Sequence, residues 1–175
     1  MAQLKAPVGP RDHVSGTLDA PVTMVEYGDY QCPHCAMAHP LVTSIREQLG
    51  PTMCFVFRHF PLTEIHPLAE PAAESAEFAG AHGRFWEMHD GLFENQARLG
   101  LPLMLDLARV LRLPGLELQE VLATEKYRAK IQSDFLGGVR GGVNGTPTFF
   151  INGQRHDGSY AYDDLMASIQ EALGD

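Results

Sequence analysis

The chain has 175 residues, of which 45% are hydrophobic and 20% charged, and its formal net charge at pH 7 is -9. This composition is typical of a globular chain that is long enough to bury one full core. The acidic balance argues against nucleic acid or an anionic membrane surface as a partner. The sequence also lacks an apolar run of the length that spans a membrane.

The first twenty residues contain no apolar run of the length that a secretory signal needs, and they are expected to form an irregular lead-in. We therefore expect a cytoplasmic protein, or a periplasmic or secreted one if a signal was removed from the natural chain. Structural disulfides are rare in the cytoplasm, so closely spaced cysteines there favour a catalytic or metal-binding role.

The chain then predicts a strand, a helix and a second strand. Residues 22–27 are β-prone and almost continuously apolar, as strands buried on both faces are. Residues 53–57 have the same character, and a helix between the two strands ends near Leu49-Gly50-Pro51. The order predicts a right-handed βαβ unit with parallel strands. The apolar residues at helical spacing are Met37, Leu41, Val42, Ile45 and Leu49.

The helix is preceded by Cys32-Pro33-His34-Cys35, which we interpret as a redox-active dithiol. Pro33 suits the first helical position, so Cys32 falls at the N-cap. There its sulfur lies near unpaired N–H groups and the positive end of the helix dipole, which favours the thiolate. Cys35, one turn into the helix, is expected to be the more buried, resolving thiol. An imidazole at His34 can donate to the thiolate or carry positive charge beside it, which makes the disulfide more oxidising.

A zinc site is the alternative for an isolated CxxC, but zinc needs two more ligands. The sequence has no second CxxC, and Cys54 is its only other cysteine. We therefore expect no metal and no cofactor. Cys54 lies in an apolar strand, where an inert core thiol is favoured over a regulatory one. Four further histidines are not spaced as paired ligands on one helix, and these are His59, His66, His82 and His89.

Residues 64–142 predict an inserted helical subdomain, and residues 143–175 predict a return to β structure and a final helix. Asn152-Gly153 is a strong hairpin signal between strands at 146–151 and 154–156, and the last helix is expected over 162–173. The glycine-rich run 137–145 favours a flexible helix end over a phosphate loop, because it follows a helix and has no Lys-Ser/Thr. The insertion is expected to hold helices at 67–81, 83–95, 102–111, 115–123 and 126–140.

Two further features of the sequence concern a buried charge and a helix face. Glu26 is a carboxylate inside an apolar strand, which is unfavourable unless the group has a partner or a role. In one alternative, the side chain of Glu26 turns outward and pairs with a lysine or arginine. Five apolar or aromatic residues of the insertion lie on one predicted helix face, and they are Phe85, Trp86, Met88, Leu92 and Phe93. Packing in the core is favoured for them over lining a substrate groove.

The βαβ unit with its Cys-Pro-His-Cys tetrad, the helical insertion and the run 145–153 together resemble the thioredoxin-fold proteins of the DsbA type. The tetrad is similar to that of the periplasmic disulfide-forming oxidases. Segments 58–67 and 80–93 resemble the subgroup that also occurs as domains fused to other proteins. The resemblance covers about residues 10–175. It implies an α/β thioredoxin fold, with residues 1–63 and 143–175 completing one domain around the insertion 64–142.

The resemblance also implies roles for residues outside the tetrad. Pro147 is expected to be cis and to pack beside the dithiol, and the backbone of Thr146 is expected to pair with an extended substrate segment. Glu26 lies at the offset where thioredoxin-like proteins place a buried acid beneath the resolving cysteine. It is expected to accept the proton of Cys35, through a water.

We therefore predict a thiol:disulfide oxidoreductase that is oxidase-like or isomerase-like. Its partners would be protein or peptide substrates that carry thiols or disulfides, together with a redox partner that recycles the dithiol. The direction of electron flow stays open. The alternative is a thioredoxin-like module that binds an extended peptide or a metal-loaded partner and turns over little.

Overall fold

The computed structural model describes residues 2–174, so Met1 and Asp175, the outer ends of the predicted segments 1–63 and 143–175, lie outside it. Within the described residues the chain forms one five-stranded sheet and seven α-helices. The strands are β1 (His13–Ser15), β2 (Val22–Gly28), β3 (Met53–His59), β4 (Thr148–Ile151) and β5 (Gln154–Arg155). The helices are α1 (Pro33–Leu49), α2 (Ala69–Ala81), α3 (Phe85–Glu94), α4 (Leu101–Val110), α5 (Gly115–Thr124), α6 (Arg128–Arg140) and α7 (Tyr162–Leu173). None of these helices is long and apolar enough to cross a membrane.

The sheet has the order β1-β3-β2-β4-β5. Strands β2 and β3 are parallel, with Val25 opposite Val56, which confirms the predicted βαβ unit. Strand β4 runs antiparallel to β2 and places Phe149 opposite Glu26. The predicted α/β class, with a βαβ unit followed by a hairpin and a helix, is confirmed.

Both faces of the central strands are covered, which explains their nearly continuous apolar sequence. Met24 and Phe57 point into a core shared with α1–α5 and α7. Val25 and Val56 point to the opposite face, where α6 and the N-terminal segment pack. The insertion therefore shares a core with the helix that carries the dithiol.

The N-terminal segment is more ordered than the sequence predicted. Residues 13–15 form an edge strand, β1, antiparallel to β3, so the expectation of an irregular lead-in was wrong there. Three residues are too few to show a strand pattern in sequence. Arg58 of β3 holds this segment through two hydrogen bonds to the carboxylate of Asp12, at 2.8 and 2.9 Å.

The five predicted helices of the insertion are all present, with bounds that differ by two residues or fewer. The hairpin is also present, and both Asn152 and Gly153 have positive φ angles, 47° and 84°, as a type I′ turn requires. One detail of α1 was wrong, because Met37 is 52% exposed. The buried face of α1 consists of Cys35, Ala38, His39, Val42 and Ile45.

The glycine-rich run begins as the end of a helix, as predicted, and its first part is packed against the sheet. Gly137 and Gly138 are buried in α6. A Cβ atom added at Gly138 would lie 2.9 Å from ring atoms of Tyr27 and Phe60. Glycine at this position therefore allows α6 to approach the sheet.

Gly138→Ala should lower the free energy of unfolding by about 1–3 kcal/mol, because the added methyl group overpacks the contact between α6 and the sheet. Gly115→Ala is the matched control, since its Cβ would lie 3.8 Å from the nearest atom, in Leu105. The control should be neutral or slightly stabilising. Urea unfolding followed by circular dichroism measures both, and equal stability of the two variants would contradict the packing argument.

Candidate active site

The dithiol is built at the start of α1, as the sequence predicted. Cys32 is the N-cap residue with extended backbone angles, and Pro33 begins the helix. Cys35 is completely buried, whereas Cys32 keeps 5% of its surface exposed. Both cysteines are in the free thiol form. Attack from solvent can therefore reach Cys32 more readily than Cys35.

Hydrogen bonds to the Cys32 sulfur stabilise its thiolate. The thiol of Cys35 is the strongest donor, and the hydroxyl of Thr146 and the backbone N–H groups of Cys35 and His34 add to it. Together they overcome the opposing effect of burial and lower the pKa of Cys32 to about 5. Cys32 is thus a thiolate near neutral pH, which is the nucleophilic form.

Cys35 has the opposite character. Burial raises its pKa well above the ordinary value, and the hydrogen bond to Cys32 and the negative charges of Glu26 and Cys32 raise it further. The two cysteines therefore differ in reactivity, because Cys32 is a thiolate and Cys35 is a buried, protonated thiol. This difference is the one expected if Cys32 attacks and Cys35 resolves.

The loop before β4 lies against the dithiol. The thiol of Cys32 donates to the carbonyl oxygen of Thr146 at a sulfur–oxygen distance of 3.6 Å. The Thr146–Pro147 peptide bond is cis. The hydroxyl oxygen of Thr146 is buried and has no hydrogen-bond partner within the described residues. It lies where it can donate to the Cys32 thiolate, which helps to lower the pKa of that thiol.

His34 contributes its backbone N–H to the site, and the predicted effect of its imidazole on the thiolate stays a prediction. Its backbone N–H stabilises the Cys32 thiolate. Its imidazole is hydrogen-bonded through Nδ1 to the hydroxyl of Tyr160, at 2.9 Å. Tyr160, which lies just before α7, therefore holds the imidazole. The sequence contained no signal for this contact, because the two residues are 126 positions apart.

Glu26 is buried, with 3% of its surface exposed, so the alternative in which it turns outward to a lysine or arginine was wrong. Its side chain shares the face of β2 that carries Met24, which is the face covered by the dithiol helix. Burial raises the pKa of Glu26 to about 8, against a lowering effect of Arg46, and the Cys32 charge raises it further. The carboxyl group is therefore able to exchange a proton near neutral pH.

Asp29 is a site residue that the sequence reasoning missed. One carboxylate oxygen accepts from the backbone N–H groups of Gln31, at 2.7 Å, and Cys32, at 3.1 Å. The other oxygen accepts from the backbone N–H of Leu62 and from Nδ1 of His66. An aspartate three residues before the N-cap cysteine is a recognisable Asx-turn signal, which could have identified it.

Gln96, which follows α3, is a second missed residue. Its side-chain nitrogen donates to the carbonyl oxygens of Tyr30 and Cys32, at 2.8 and 2.9 Å. The insertion thus holds the backbone of the dithiol loop directly. Sequence patterns could not show this contact, because the partners are more than sixty positions apart.

A groove of about 380 Å³ runs beside the cis-proline loop. Pro147, Phe149 and Tyr160 form part of its lining. A larger groove of about 740 Å³ lies between β5 and α7, and its lining contains none of the predicted site residues. Of the two grooves, the smaller one contains a predicted site residue, Pro147.

The remaining residues noted in the sequence, namely Cys54, the apolar face of α3 and three histidines, lie in the core or bond carboxylates. Cys54 is buried in β3, and burial raises its pKa, as expected for a core thiol. The predicted apolar face of α3 is buried at Phe85, Met88, Leu92 and Phe93, whereas Trp86 is partly buried. Three of the histidines noted in the sequence bond carboxylates, with His59 bonding Glu77, His66 bonding Asp29 and His82 bonding Glu117.

In the reduced protein, Cys32 should be the only cysteine that iodoacetamide alkylates rapidly at about pH 6, because only it combines access with a stabilised thiolate. Peptide mapping identifies the labelled residue, and the ultraviolet absorbance of the thiolate gives its titration. We expect an inflection near pH 5 that disappears in Cys32→Ser. Titration near the ordinary cysteine value of about 8.5, or faster labelling of Cys35 or Cys54, would contradict the assignment.

Comparisons with known proteins agree with this geometry. The family model described as thioredoxin matches residues 9–171. The oxidised crystal structure of BdbD from Bacillus subtilis superposes with a TM-score of 0.88 at 25% identity, covering 99% of both chains. The structure of α-DsbA1 from Wolbachia pipientis superposes with a TM-score of 0.84 at 24% identity, covering 98% of this chain and 94% of the other.

Among curated proteins, the chain is 45% identical to the Na(+)/H(+) antiporter NhaA 1 of Salinispora arenicola over 97% of its own length and 26% of the antiporter. It is 35% identical to NhaA 1 of Mycolicibacterium gilvum over 98% of its length and 28% of that protein. The chain thus spans about a quarter of the length of these relatives. Since the thioredoxin model covers nearly all of this chain, the shared part is thioredoxin-like. The chain belongs to the thioredoxin family and has the fold of its DsbA-like members.

Proposed function

We propose that the protein is a thiol:disulfide oxidoreductase that exchanges disulfides with protein or peptide thiols, in the oxidase-like direction. The observation that carries the proposal is the contrast within one pair, where the pKa of Cys32 is lowered to about 5 and that of Cys35 is raised. A structural CxxC needs no such contrast, whereas thiol exchange needs one nucleophilic and one protected sulfur.

In the oxidising direction, a substrate thiolate attacks Cys32 of the Cys32–Cys35 disulfide. The bond between the two enzyme sulfurs breaks, and Cys35 leaves with the electron pair and takes up a proton. A second substrate thiolate then attacks the substrate sulfur of the mixed disulfide and releases Cys32 as a thiolate. The substrate loses two electrons to the enzyme, and a redox partner of the same chemical class reoxidises the dithiol.

The low pKa of Cys32 favours this direction. A stabilised thiolate makes Cys32 a good leaving group and stabilises the reduced enzyme, so the disulfide form is a stronger oxidant. The hydrogen bonds from Cys35, Thr146 and the helix N–H groups supply the stabilisation.

The expected cytoplasmic location stays a prediction.

The substrate would lie as an extended segment along the loop at Thr146 and Pro147, beside the groove of about 380 Å³ that Pro147 lines. Strand-to-strand pairing supplies affinity with little side-chain specificity, which suits varied substrates. The carbonyl oxygen of Thr146 lies next to Cys32, so a peptide on this loop brings its sulfur to the reactive thiol.

The antiporter relatives give no basis for assigning ion transport to this chain, because the match covers about a quarter of their length. The shared part is thioredoxin-like. We therefore assign to this chain the dithiol chemistry alone.

The wild-type protein should catalyse reduction of insulin disulfides by dithiothreitol, and Cys32→Ser should lower the rate to the uncatalysed background, because the nucleophile is lost. Cys54→Ser is the matched control and should retain the wild-type rate. Turbidity of the released insulin chain is the measurement. Background activity in the wild type would favour a binding module.

The same protein, equilibrated in glutathione buffers, gives the direction of electron flow. We expect a reduction potential less negative than the roughly -270 mV of thioredoxin. A more negative value, with insulin reduction intact, would retain the oxidoreductase and reject the oxidase-like direction.

Glu26→Gln should slow resolution of the mixed disulfide by Cys35 and leave the first attack by Cys32 nearly unchanged, because the proton acceptor of Cys35 is removed. Rapid-mixing kinetics with a disulfide peptide near pH 7 separate the two steps. Equal rates for both steps in wild type and variant would rule out Glu26 as the acceptor.

The same variant should be more stable than wild type at high pH. The pKa of Glu26 is raised from 4.5 to about 8 in the folded protein, so the wild type loses stability as pH rises through this interval. Glutamine resembles the protonated form and does not ionise. At pH 8 the gain should be about 4 kcal/mol, and it should vanish below about pH 4.5.

A further inference from the structure

A cluster of metal-ligating side chains lies where α1 packs against α3, apart from the dithiol. His39 comes from α1, and His89 and Asp90 come from α3. One possible ligand atom from each of these residues lies within 4.8 Å of the other two. The two histidines are 8% and 1% exposed. The sequence did not indicate this cluster, because His39 is fifty positions away from the other two residues.

His39 faces two carboxylates that are close enough to share an ion with it. His39 Nε2 lies 3.5 Å from Asp90 Oδ1 and 3.9 Å from Glu94 Oε1. Both distances exceed those of N–H···O hydrogen bonds, about 2.7–3.2 Å. Two ligands at about 2.0–2.2 Å from a tetrahedral ion are roughly 3.3–3.6 Å apart. The distance to Asp90 falls within this range, and the distance to Glu94 is slightly longer.

The second buried histidine is already oriented by a neighbour. Nδ1 of His89 is hydrogen-bonded to the hydroxyl of Tyr30, at 2.9 Å. If a metal binds His89, Nε2 is the nitrogen that this bond leaves available to ligate it. Metal-ligating histidines commonly have their other ring nitrogen held in this way.

Arg46 is the charge that opposes a cation here, since it lies close enough to affect Asp90 and His39. Its guanidinium is stacked over the rings of Phe55 and Trp86, 5.1 and 5.0 Å from their centroids. It also donates to Ser15. Arg46 is thus held by other groups, and its single positive charge is set against the two carboxylates of Asp90 and Glu94. The local charge therefore still favours a divalent cation.

We propose that His39, His89 and Asp90, with Glu94 on the open side, form a binding site for a divalent transition-metal ion of the zinc class. Two imidazole nitrogens with carboxylate oxygens favour zinc, cobalt or nickel over magnesium and calcium. The bound ion would join α1, which carries the dithiol, to α3 of the insertion. The site does not depend on the proposed redox function.

The test uses the oxidised protein, because the disulfide prevents Cys32 and Cys35 from ligating the metal. Isothermal titration with zinc chloride should show one ion per chain. His39→Gln and Asp90→Asn should each weaken binding by about tenfold or more, since each removes a ligand. Cobalt chloride should give the visible absorption of a tetrahedral site, and this absorption should be lost in His39→Gln.

His82→Gln is the matched control, because it removes a partly exposed histidine that is paired with Glu117, 3.3 Å away. It should bind zinc as the wild type does. Asp90→Asn keeps the shape of α3, and thermal unfolding of each variant checks its fold. The proposal is overturned if the oxidised wild type binds no zinc, or if the two ligand variants bind zinc as tightly as His82→Gln.

Discussion

The site depends on the hydrogen bonds that converge on one sulfur at the start of α1. Backbone N–H groups at a helix start have no partner within the helix, and the Cys32 thiolate satisfies two of them. The Cys35 thiol and the Thr146 hydroxyl complete the set. Because each donor stabilises the charged form, the pKa of Cys32 falls although the residue is largely buried.

The insertion does more than cover the sheet. Gln96 binds the backbone of the dithiol loop on one side, and Asp29 connects the same loop to His66 on the other. Tyr30, two residues before Cys32, is held by His89 of α3. The position of Cys32 is therefore determined from several directions, which limits the entropy that must be lost when a substrate sulfur approaches.

Buried ionisable groups beneath the dithiol set the proton chemistry. Glu26 and the Cys35 thiol both have raised pKa values, for the common reason that burial disfavours their charged forms. Burial thus keeps both groups protonated over a wider pH range than in water, and each can hold a proton beneath the Cys32 sulfur. The arrangement lowers the stability of the fold near neutral pH, so the buried acid is explained by chemistry better than by packing.

Local sequence alone determined the βαβ unit, the five insertion helices, the hairpin and the position of Cys32 at a helix start. Each of these follows from signals within a few residues, such as Pro33 after Cys32 or Asn152 before Gly153. Tertiary structure alone decided which distant groups meet. The short strand β1, the contact of His34 with Tyr160, the bonds of Gln96 and the meeting of His39 with His89 join positions far apart in the chain. Packing of the insertion onto the sheet creates these contacts, and a single sequence contains no local signal for them.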